Sequence, residues 1–304
     1  MPFDPIDAAQ KAKFIGFAYN MFTPGVLQPP PDPGIAAAGY RFLYYLNASD
    51  FDSKEFYGYI AESTTSPGSY VLAIRGTETL KEWILDIVAI PVLFGPKPSA
   101  GFVALGFQSI YSTFQFIDSA GHKSTLKKVI AKLSAAPGGI TEFLVLGHSL
   151  GAALATLAAA ELVMVNPHGV KDSVAIYTFA SPRVGLLDFA SSFNENVPSS
   201  FRIWNILDIV PQVPPFPYIH VSGLGDCIVQ TQEQMETLLV TPPCEHHLTS
   251  YEWLMDPANF ALDANCSQVA AHARVAAMAA TVGHTPADHA VGAKAMRKAA
   301  CGHS

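Results

Sequence analysis

Residues 143–207 contain short apolar runs that alternate with runs suited to helices. The apolar runs occupy residues 143–147, 174–180 and 201–207, and the helix-compatible runs occupy residues 150–165 and 186–194. Strands that alternate with helices are joined by right-handed crossovers, which make neighbouring strands parallel and cover both faces of the sheet. The pattern therefore predicts an α/β fold with a central, mostly parallel sheet flanked by helices.

The first 134 residues carry a different pattern. Residues 8–22 place apolar side chains at helical spacing, and this run ends at a Thr-Pro-Gly sequence followed by a proline cluster. Three β-like runs follow at residues 39–47, 56–62 and 69–76, and turn residues separate them. We expect these runs to enter the sheet as antiparallel neighbours. Residues 106–134 are compatible with helix throughout.

Composition excludes some classes of protein. Half of the 304 residues are hydrophobic and 14% are charged, so the chain can bury a large core. The formal net charge is −7 and the lysines and arginines are scattered, so no basic face predicts nucleic-acid binding. No uncharged apolar stretch reaches the roughly 18 residues of a membrane span. We expect a main domain over residues 1–261 and an Ala-rich, helical C-terminal extension over residues 262–304.

Neither the cysteines nor the first residues identify the compartment. Cys227, Cys244, Cys266 and Cys301 follow neither a CxxC nor a zinc-ribbon pattern. A disulfide between Cys227 and Cys244 and a set of reduced, buried thiols are both compatible with these positions. The N-terminal residues are acidic where a secretory signal is basic. This predicts either a cytoplasmic protein or a secreted form that lacks its signal.

A Gly-x-Ser-x-Gly sequence, Gly147-His148-Ser149-Leu150-Gly151, lies between a predicted strand and a helix of small residues. At such a turn the serine takes a strained, positive φ, so the residues two before and two after it must be glycine or similarly small. The hydroxyl then stands at a helix N-terminus, which favours a developing negative charge. In an unstructured loop the same sequence is typical of a plain turn. The flanking strand and helix indicate that Ser149 is a nucleophile.

A serine nucleophile needs a histidine to take its proton and a carboxylate to orient that histidine. In a sheet of this kind the acid follows a later strand, and the histidine follows the acid. Asp208 ends the apolar run at residues 201–207 and is the predicted acid. Its competitors Asp172, Asp188 and Asp226 lie in predicted turns or on a helix face, where they are typical of caps or solvated charges.

Two adjacent histidines, His246 and His247, precede a predicted helix at residues 247–255, and one of them is predicted to be the base. Paired histidines also suggest a metal site, but no cysteine or carboxylate set at zinc-ligand spacing accompanies them. His220 lies in a strand-like run and is expected to be structural. We predict that the chemistry requires no metal and no organic cofactor.

Four motifs occur in a fixed order along the chain. They are Ile74-Arg75-Gly76-Thr77 with Trp83 and Asp86 after it, residues 147–151, Ser181-Pro182-Arg183-Val184-Gly185, and residues 205–211. Together they resemble the class 3 lipase family of the α/β-hydrolase superfamily, over roughly residues 35–260. The resemblance implies an α/β-hydrolase fold with a lid segment.

The resemblance also implies the groups that stabilise the oxyanion. Thr77 would supply a backbone N–H and its hydroxyl, Leu150 would supply a second N–H, and Asp86 would orient the Thr77 side chain. Two donors aimed at the tetrahedral oxygen are what acyl transfer needs, and removing one costs about 3 kcal/mol of barrier.

The family pattern favours one of the two histidines. The family's histidine commonly stands five residues before a tyrosine, which here selects His246 through Tyr251. In another branch a leucine directly follows the histidine, which makes His247 the second choice.

The apolar segment at residues 81–94 corresponds to the lid of class 3 lipases, an amphipathic helix that opens on a lipid surface. Such a helix buries its apolar face against lipid or acyl chains when it is open. The predicted lid and acyl-binding residues are Trp83, Ile84, Ile87, Ile90, Val92, Leu93 and Phe94. The alternative is that residues 84–94 belong to the core.

These residues predict a serine carboxylic-ester hydrolase, specifically a triacylglycerol lipase that acts through a Ser-His-Asp triad and an acyl-enzyme. An esterase or a phospholipase of the same fold would use the same residues. Two further alternatives are an acyltransferase and a non-catalytic lipid-binding module. The predicted partners are an acylglycerol or other ester substrate and a lipid–water interface, with no nucleic acid and no transmembrane segment.

Overall fold

A central sheet organises the computed structural model, which describes residues 3–49, 53–77, 88–165, 170–222, 225–228, 231–239 and 241–268. Within these ranges nine strands form the sheet: β1 Tyr40–Ser49, β2 Lys54–Ser63, β3 Ser69–Ile74, β6 Gln115–Asp118, β7 Lys123–Ser124, β8 Glu142–His148, β9 Val174–Phe179, β10 Ser200–Asn205 and β11 Asp226–Ile228. Two other strands, β4 Pro91–Leu93 and β5 Phe102–Ala104, pair separately as an antiparallel ribbon.

The spatial order of the strands is β7-β6-β1-β2-β3-β8-β9-β10-β11. From β7 to β3 neighbouring strands are antiparallel, and from β3 to β11 they are parallel. The predicted antiparallel entry of the first three strands is confirmed. In the described residues, four neighbouring pairs are antiparallel and four are parallel, so the sheet is mixed rather than mostly parallel, because β6 and β7 extend the antiparallel half.

The continuous helix predicted over residues 106–134 is wrong. The structure has two helices there, α3 Leu105–Ser112 and α4 Leu126–Ser134, with β6 and β7 between them. The Asp118 carboxylate accepts the backbone N–H groups of Ala120 and His122, which closes a turn between the two strands. β6 also pairs with the edge of β1, so long-range strand pairing overrides the local helical preference.

Helices cover both faces of the sheet. One face carries α1 Pro5–Met21, α2 Pro33–Ala37 and α9 Leu248–Met255, and the other carries α3, α4, α5 Leu150–Met164 and α6 Leu187–Asn196. Two short helices, α7 Gln232–Thr237 and α8 Pro242–His246, precede α9. Strand β3 has apolar side chains on both faces because both are covered. Of the helices in the described ranges, none is long and apolar enough to cross a bilayer.

Helix α1 confirms the helix predicted at residues 8–22 and brings a tyrosine to the centre of the molecule. Asp4 caps it by accepting the backbone N–H groups of Ile6 and Asp7 at 2.9 and 3.4 Å. Its buried alanines allow a close approach to the sheet. Tyr19, in its last turn, is thereby carried to the carboxyl ends of β3 and β8.

A disulfide joins Cys244 in α8 to Cys266 after α9. Both cysteine predictions, a Cys227–Cys244 bridge and a fully reduced set, are therefore wrong, because the fold brings the Cα atoms of Cys244 and Cys266 to 5.2 Å. The backbone N–H of Leu239 donates to the carbonyl of Cys266, so residues 262–268 pack against the main domain. The domain boundary at residue 261 stays a prediction, and residues 269–304 lie outside the described residues.

Candidate active site

Ser149 lies at the sharp turn between β8 and α5. Its φ of 58° and ψ of −128° are rarely adopted by a residue with a side chain. A Cβ atom at Gly147 would lie 2.3 Å from the carbonyl oxygen of Gly151, and one at Gly151 would lie 2.4 Å from the carbonyl oxygens of Ile74 and Arg75. The turn therefore requires glycine at both positions, as the spacing predicts.

The structure brings together three side chains that the sequence analysis singled out. His246 Nε2 lies 2.7 Å from Ser149 Oγ, and His246 Nδ1 lies 2.9 Å from Asp208 Oδ2. None of the three residues is more than 5% exposed. Since an ionised carboxylate only accepts hydrogen bonds, Nδ1 carries the proton and Nε2 is left to accept the serine hydroxyl. This is the geometry of a nucleophile beside its general base.

Two further donors fix the orientation of Asp208. The Tyr251 hydroxyl donates to Oδ2 at 2.8 Å, and the backbone N–H of Val210 donates to Oδ1 at 3.0 Å. The same hydroxyl accepts the backbone N–H of Asn205 at 3.0 Å. Burial, and then the neighbouring Asp208 charge, raise the pKa of Tyr251 well above its usual value, so the phenol keeps its proton. Both carboxylate oxygens are thus held before any substrate binds.

The backbone between α8 and α9 separates the two adjacent histidines. His246 is the last residue of α8, and His247 has a ψ of 138° that breaks the helix. The side chain of His247 therefore points elsewhere, and its Nδ1 lies 3.7 Å from the Sγ of Cys266. Of the two, His246 is the one placed against Ser149 and Asp208. In the described part of the chain, no group of three or more His, Cys, Asp or Glu side chains is arranged to hold a metal ion.

The turn after β3 packs directly against the nucleophile. A Cβ atom at Gly76 would lie 2.8 Å from the Cβ of Ser149. The Gly76 N–H donates to the Tyr19 hydroxyl at 2.8 Å, and its carbonyl accepts Nη1 of Arg75 at 2.7 Å. Arg75 is 1% exposed, and burial lowers the pKa of its guanidinium. The turn is therefore anchored at both its N–H and its carbonyl.

The two predicted oxyanion donors lie on the segments that border Ser149. Thr77 directly follows the anchored Gly76, and Leu150 is the first residue of α5. The first N–H groups of a helix have no partner within the helix, and the helix dipole favours negative charge there. Asp86, predicted to orient Thr77, lies outside the described residues.

Over residues 88–94 the predicted lid segment is not a helix. Residues 91–93 form β4, which pairs with β5. Ile90 and Leu93 are 56% and 48% exposed, Val92 is partly buried, and Phe94 is fully buried among core residues. Phe94 therefore belongs to the core, as the alternative expected. Trp83, Ile84 and Ile87 lie outside the described residues, and the lid role stays a prediction.

Exposed apolar side chains lie on the segments that follow β3, β9 and β10, whose carboxyl ends meet at the edge of the sheet that carries Ser149. We call this set the apolar rim; it consists of Ile90, Leu93, Phe102, Leu187, Ile209 and Phe216. Its segments are bonded to one another, since the Tyr218 hydroxyl donates to the carbonyl of Ala89 and Gly185 bridges both Val103 and Ile219.

Tyr19, Arg75 and His148 have no role predicted from the sequence. Tyr19 is 129 residues from His148, so no local pattern connects the two. Arg75 and His148 stand inside recognisable motifs at the ends of apolar strands. A polar side chain at the end of an apolar strand is buried and needs a hydrogen-bond partner. Their positions in the sequence were therefore the signal that Arg75 and His148 have buried partners.

The chain is similar in sequence to known lipases. A profile of the family described as Lipase (class 3) matches residues 71–218. Phospholipase A1-II 3 of Oryza sativa is 28% identical over 80% of this chain and 60% of the relative. Secreted mono- and diacylglycerol lipase A of Penicillium cyclopium is 34% identical over 62% of this chain and 57% of the relative. The chain thus spans about 60% of the length of these curated relatives.

Solved structures agree on the fold. Lipase II from Rhizopus niveus superposes with a TM-score of 0.54 at 26% identity, and the match covers 70% of this chain and 78% of that one. The mixed sheet flanked by helices, with a serine at the turn between β8 and α5, defines an α/β-hydrolase fold. The chain is therefore similar to the class 3 lipase family over residues 71–218, which confirms the resemblance seen in its motifs.

Proposed function

We propose that this protein is a serine carboxylic-ester hydrolase that acts on acylglycerols, with triacylglycerol as its substrate. The observation that carries the proposal is the buried, unbroken contact from Ser149 Oγ through His246 to Asp208, at 2.7 and 2.9 Å. The packing of the fold does not require a buried serine hydroxyl bonded to an oriented imidazole, whereas acyl transfer does.

The proposed reaction has two half-reactions. Ser149 Oγ attacks the ester carbonyl carbon while its proton passes to His246 Nε2, and Asp208 stabilises the imidazolium. The N–H groups of Thr77 and Leu150 receive the oxyanion. His246 then donates the proton to the leaving alcohol oxygen. A water molecule repeats the sequence on the acyl-enzyme, which releases the fatty acid and returns the proton to Ser149.

The apolar rim supports a substrate with long acyl chains. Phe216 is 86% exposed and Leu187 is 68% exposed, although both are large apolar residues. Exposed apolar patches at a site mark contact with apolar ligands or lipid surfaces. We place Trp83, Ile84 and Ile87 in the same acyl-binding role. The names of the relatives, a mono- and diacylglycerol lipase and a phospholipase A1, support the glycerolipid class.

Hydrolysis of a chain-length series tests the proposal. The series runs from a soluble butyrate ester to emulsified long-chain triacylglycerol, with phosphatidylcholine vesicles as a further arm, for the wild type and Ser149→Ala. We expect serine-dependent release of fatty acid from the triacylglycerol emulsion that rises once the substrate exceeds its solubility. Activity confined to soluble esters, or to phosphatidylcholine, would replace triacylglycerol lipase with esterase or phospholipase.

A second measurement separates the enzyme from a lipid-binding module. A fluorophosphonate probe should label the wild type and leave Ser149→Ala unlabelled, because labelling requires an activated hydroxyl. Asp208→Asn should fold normally and lose activity by about 10³ to 10⁴-fold, since the amide no longer holds the productive imidazole tautomer. A labelled protein that transfers acyl groups to an added alcohol faster than to water would be an acyltransferase.

A further inference from the structure

A chain of three hydrogen bonds links the segments that border Ser149. The Gly76 N–H lies 2.8 Å from the Tyr19 hydroxyl oxygen, and that oxygen lies 2.7 Å from His148 Nδ1. At the other side of the same ring, His148 Nε2 lies 2.8 Å from the backbone carbonyl oxygen of His246. The chain therefore connects the turn before Thr77, the residue before Ser149 and the backbone of the proposed base.

The two ends of this chain give it one direction. The Gly76 N–H can only donate and the His246 carbonyl can only accept. His148 Nε2 therefore carries the proton and donates it to His246, which leaves Nδ1 as an acceptor. The Tyr19 hydroxyl donates to Nδ1 and accepts from Gly76. One neutral tautomer of His148 satisfies every group of this chain.

The surroundings of His148 favour this neutral tautomer. The residue is 3% exposed, and its ring lies 4.7 Å from the ring of His246 between centroids. Burial first, and the neighbouring His246 second, hold the pKa of His148 well below its usual value. The ring thus stays a neutral donor while the nearby His246 is charged during turnover.

Resting on the proposed function, we infer that Tyr19 and His148 are positioning residues, which align the oxyanion turn and the base through this directed chain. His246 is held at its ring by Asp208 and at its backbone by His148, so its Nε2 has little freedom relative to the serine. Gly76 is held by Tyr19, so the N–H of Thr77 is set relative to the same serine. Alignment of this kind affects the transition state more than substrate binding.

A matched pair of tyrosine variants tests the inference. Tyr19→Phe removes the hydroxyl from the chain. Tyr59→Phe removes a fully buried hydroxyl that donates to the carbonyl of Phe14, also in α1, and that is not one of the groups of the chain. Each variant loses the hydrogen bonding of one tyrosine hydroxyl between α1 and the sheet or the turn after β3. We expect kcat on a soluble butyrate ester to fall about tenfold in Tyr19→Phe with KM within about twofold, and both constants to stay unchanged in Tyr59→Phe.

Substitutions at His148 test whether the chain acts as a unit. His148→Gln keeps an acceptor and a donor and should retain more kcat than His148→Leu. Adding Tyr19→Phe to His148→Leu should lower kcat by no more than about twofold, because the chain is already broken. Multiplicative losses, or equal kcat in Tyr19→Phe and Tyr59→Phe, would overturn the inference.

Nitrogen-15 histidine spectra give a readout that does not depend on activity. In the wild type, the resonances that disappear in His148→Gln should report a protonated Nε2 and an unprotonated Nδ1, and Tyr19→Phe should shift the Nδ1 signal. The opposite tautomer would refute the chain even in an active enzyme. If the wild type hydrolyses nothing and its serine resists fluorophosphonate, the proposed function fails instead, whatever the spectra show.

Discussion

Tyr251 and His246 bond to the same oxygen of Asp208: the Tyr251 hydroxyl lies 2.8 Å and the His246 Nδ1 lies 2.9 Å from Oδ2. The backbone N–H of Asn205, at the end of β10, donates to that hydroxyl as well. Helix α9 thereby couples the end of a parallel strand to the orientation of the imidazole. Asp208 is held by the fold rather than by the histidine alone.

Replacing Tyr251 by phenylalanine should lower both activity and stability. A buried hydrogen bond to a charged group is worth about 1.5 to 3 kcal/mol, so we expect the free energy of unfolding to fall by about 2 kcal/mol. The carboxylate also loses part of its alignment, so kcat should fall about tenfold. Urea unfolding and steady-state kinetics measure the two effects.

Tyr111→Phe is the matched control for this change. The Tyr111 hydroxyl donates to Glu161 Oε2 at 2.6 Å in a buried site that is not part of the triad. It should lose stability and keep its kcat. A kcat loss of equal size in both variants would show that the effect is one of general stability.

Gly151→Ala should destabilise the protein and impair catalysis together. The added Cβ would lie 2.4 Å from the carbonyl oxygens of Ile74 and Arg75, so the end of β3 must move away from α5. Overpacking of this kind costs about 1 to 3 kcal/mol, and the displaced strand carries the oxyanion turn. Gly16→Ala in α1, whose Cβ meets its nearest atom at 3.9 Å, should be neutral or stabilising. Equal melting temperatures for the two variants would contradict the clash.

Removing the disulfide should lower stability without changing the fold. The bridge joins cysteines at a sequence separation of 22, which corresponds to about 3 kcal/mol in the chain-entropy model. Since Cys244 stands two residues before His246, activity should disappear at a lower urea concentration in Cys244→Ser/Cys266→Ser. Dithiothreitol should lower the midpoint of the wild type at least as far as the double variant, because it reduces every disulfide of the chain. Unchanged midpoints in both samples would mean that the bridge contributes nothing.

Stability should fall as pH rises from about 4.5 to about 7 because of Glu252. This residue is 8% exposed on α9, and burial raises its pKa from 4.5 to about 7, against the opposing charge of Lys13. The folded state therefore binds the proton more tightly than the unfolded state. The destabilisation is absent below about pH 4.5, grows between about pH 4.5 and 7, and is complete above that range.

Glu252→Gln should remove this pH dependence. The amide carries no charge to desolvate, so the variant should be more stable than the wild type by up to about 3 kcal/mol at pH 8.5 and nearly equal to it at pH 4.5. Urea unfolding at the two pH values measures the difference. Glu195→Gln, at an exposed position, should change little at either pH. A constant difference between Glu252→Gln and wild type across the pH range would refute the mechanism.

Much of the fold was predictable because its signals are local. Helix α1 and the first three strands follow from apolar spacing and turn residues. The elbow at Ser149 follows from two glycines that flank a serine between a strand and a helix. Asp208 could be chosen because it ends an apolar run. The error at residues 106–134 arose because β6 and β7 are too short to outweigh a helical pattern and exist only by pairing with the edge of β1.

The sequence by itself determined the class of fold and predicted a candidate nucleophile, a candidate acid and their order, because each signal depends on side chains within a few residues of one another. The tertiary structure decided which histidine contacts Ser149. His246 is 97 residues from Ser149 in the sequence, and the break between α8 and α9 turns His247 away from the site. It also decided the pairing of Cys244 with Cys266 and the place of Tyr19 behind the site. Such contacts depend on how the sheet and its covering helices pack, and no local pattern records a distance between segments that meet only in the folded chain.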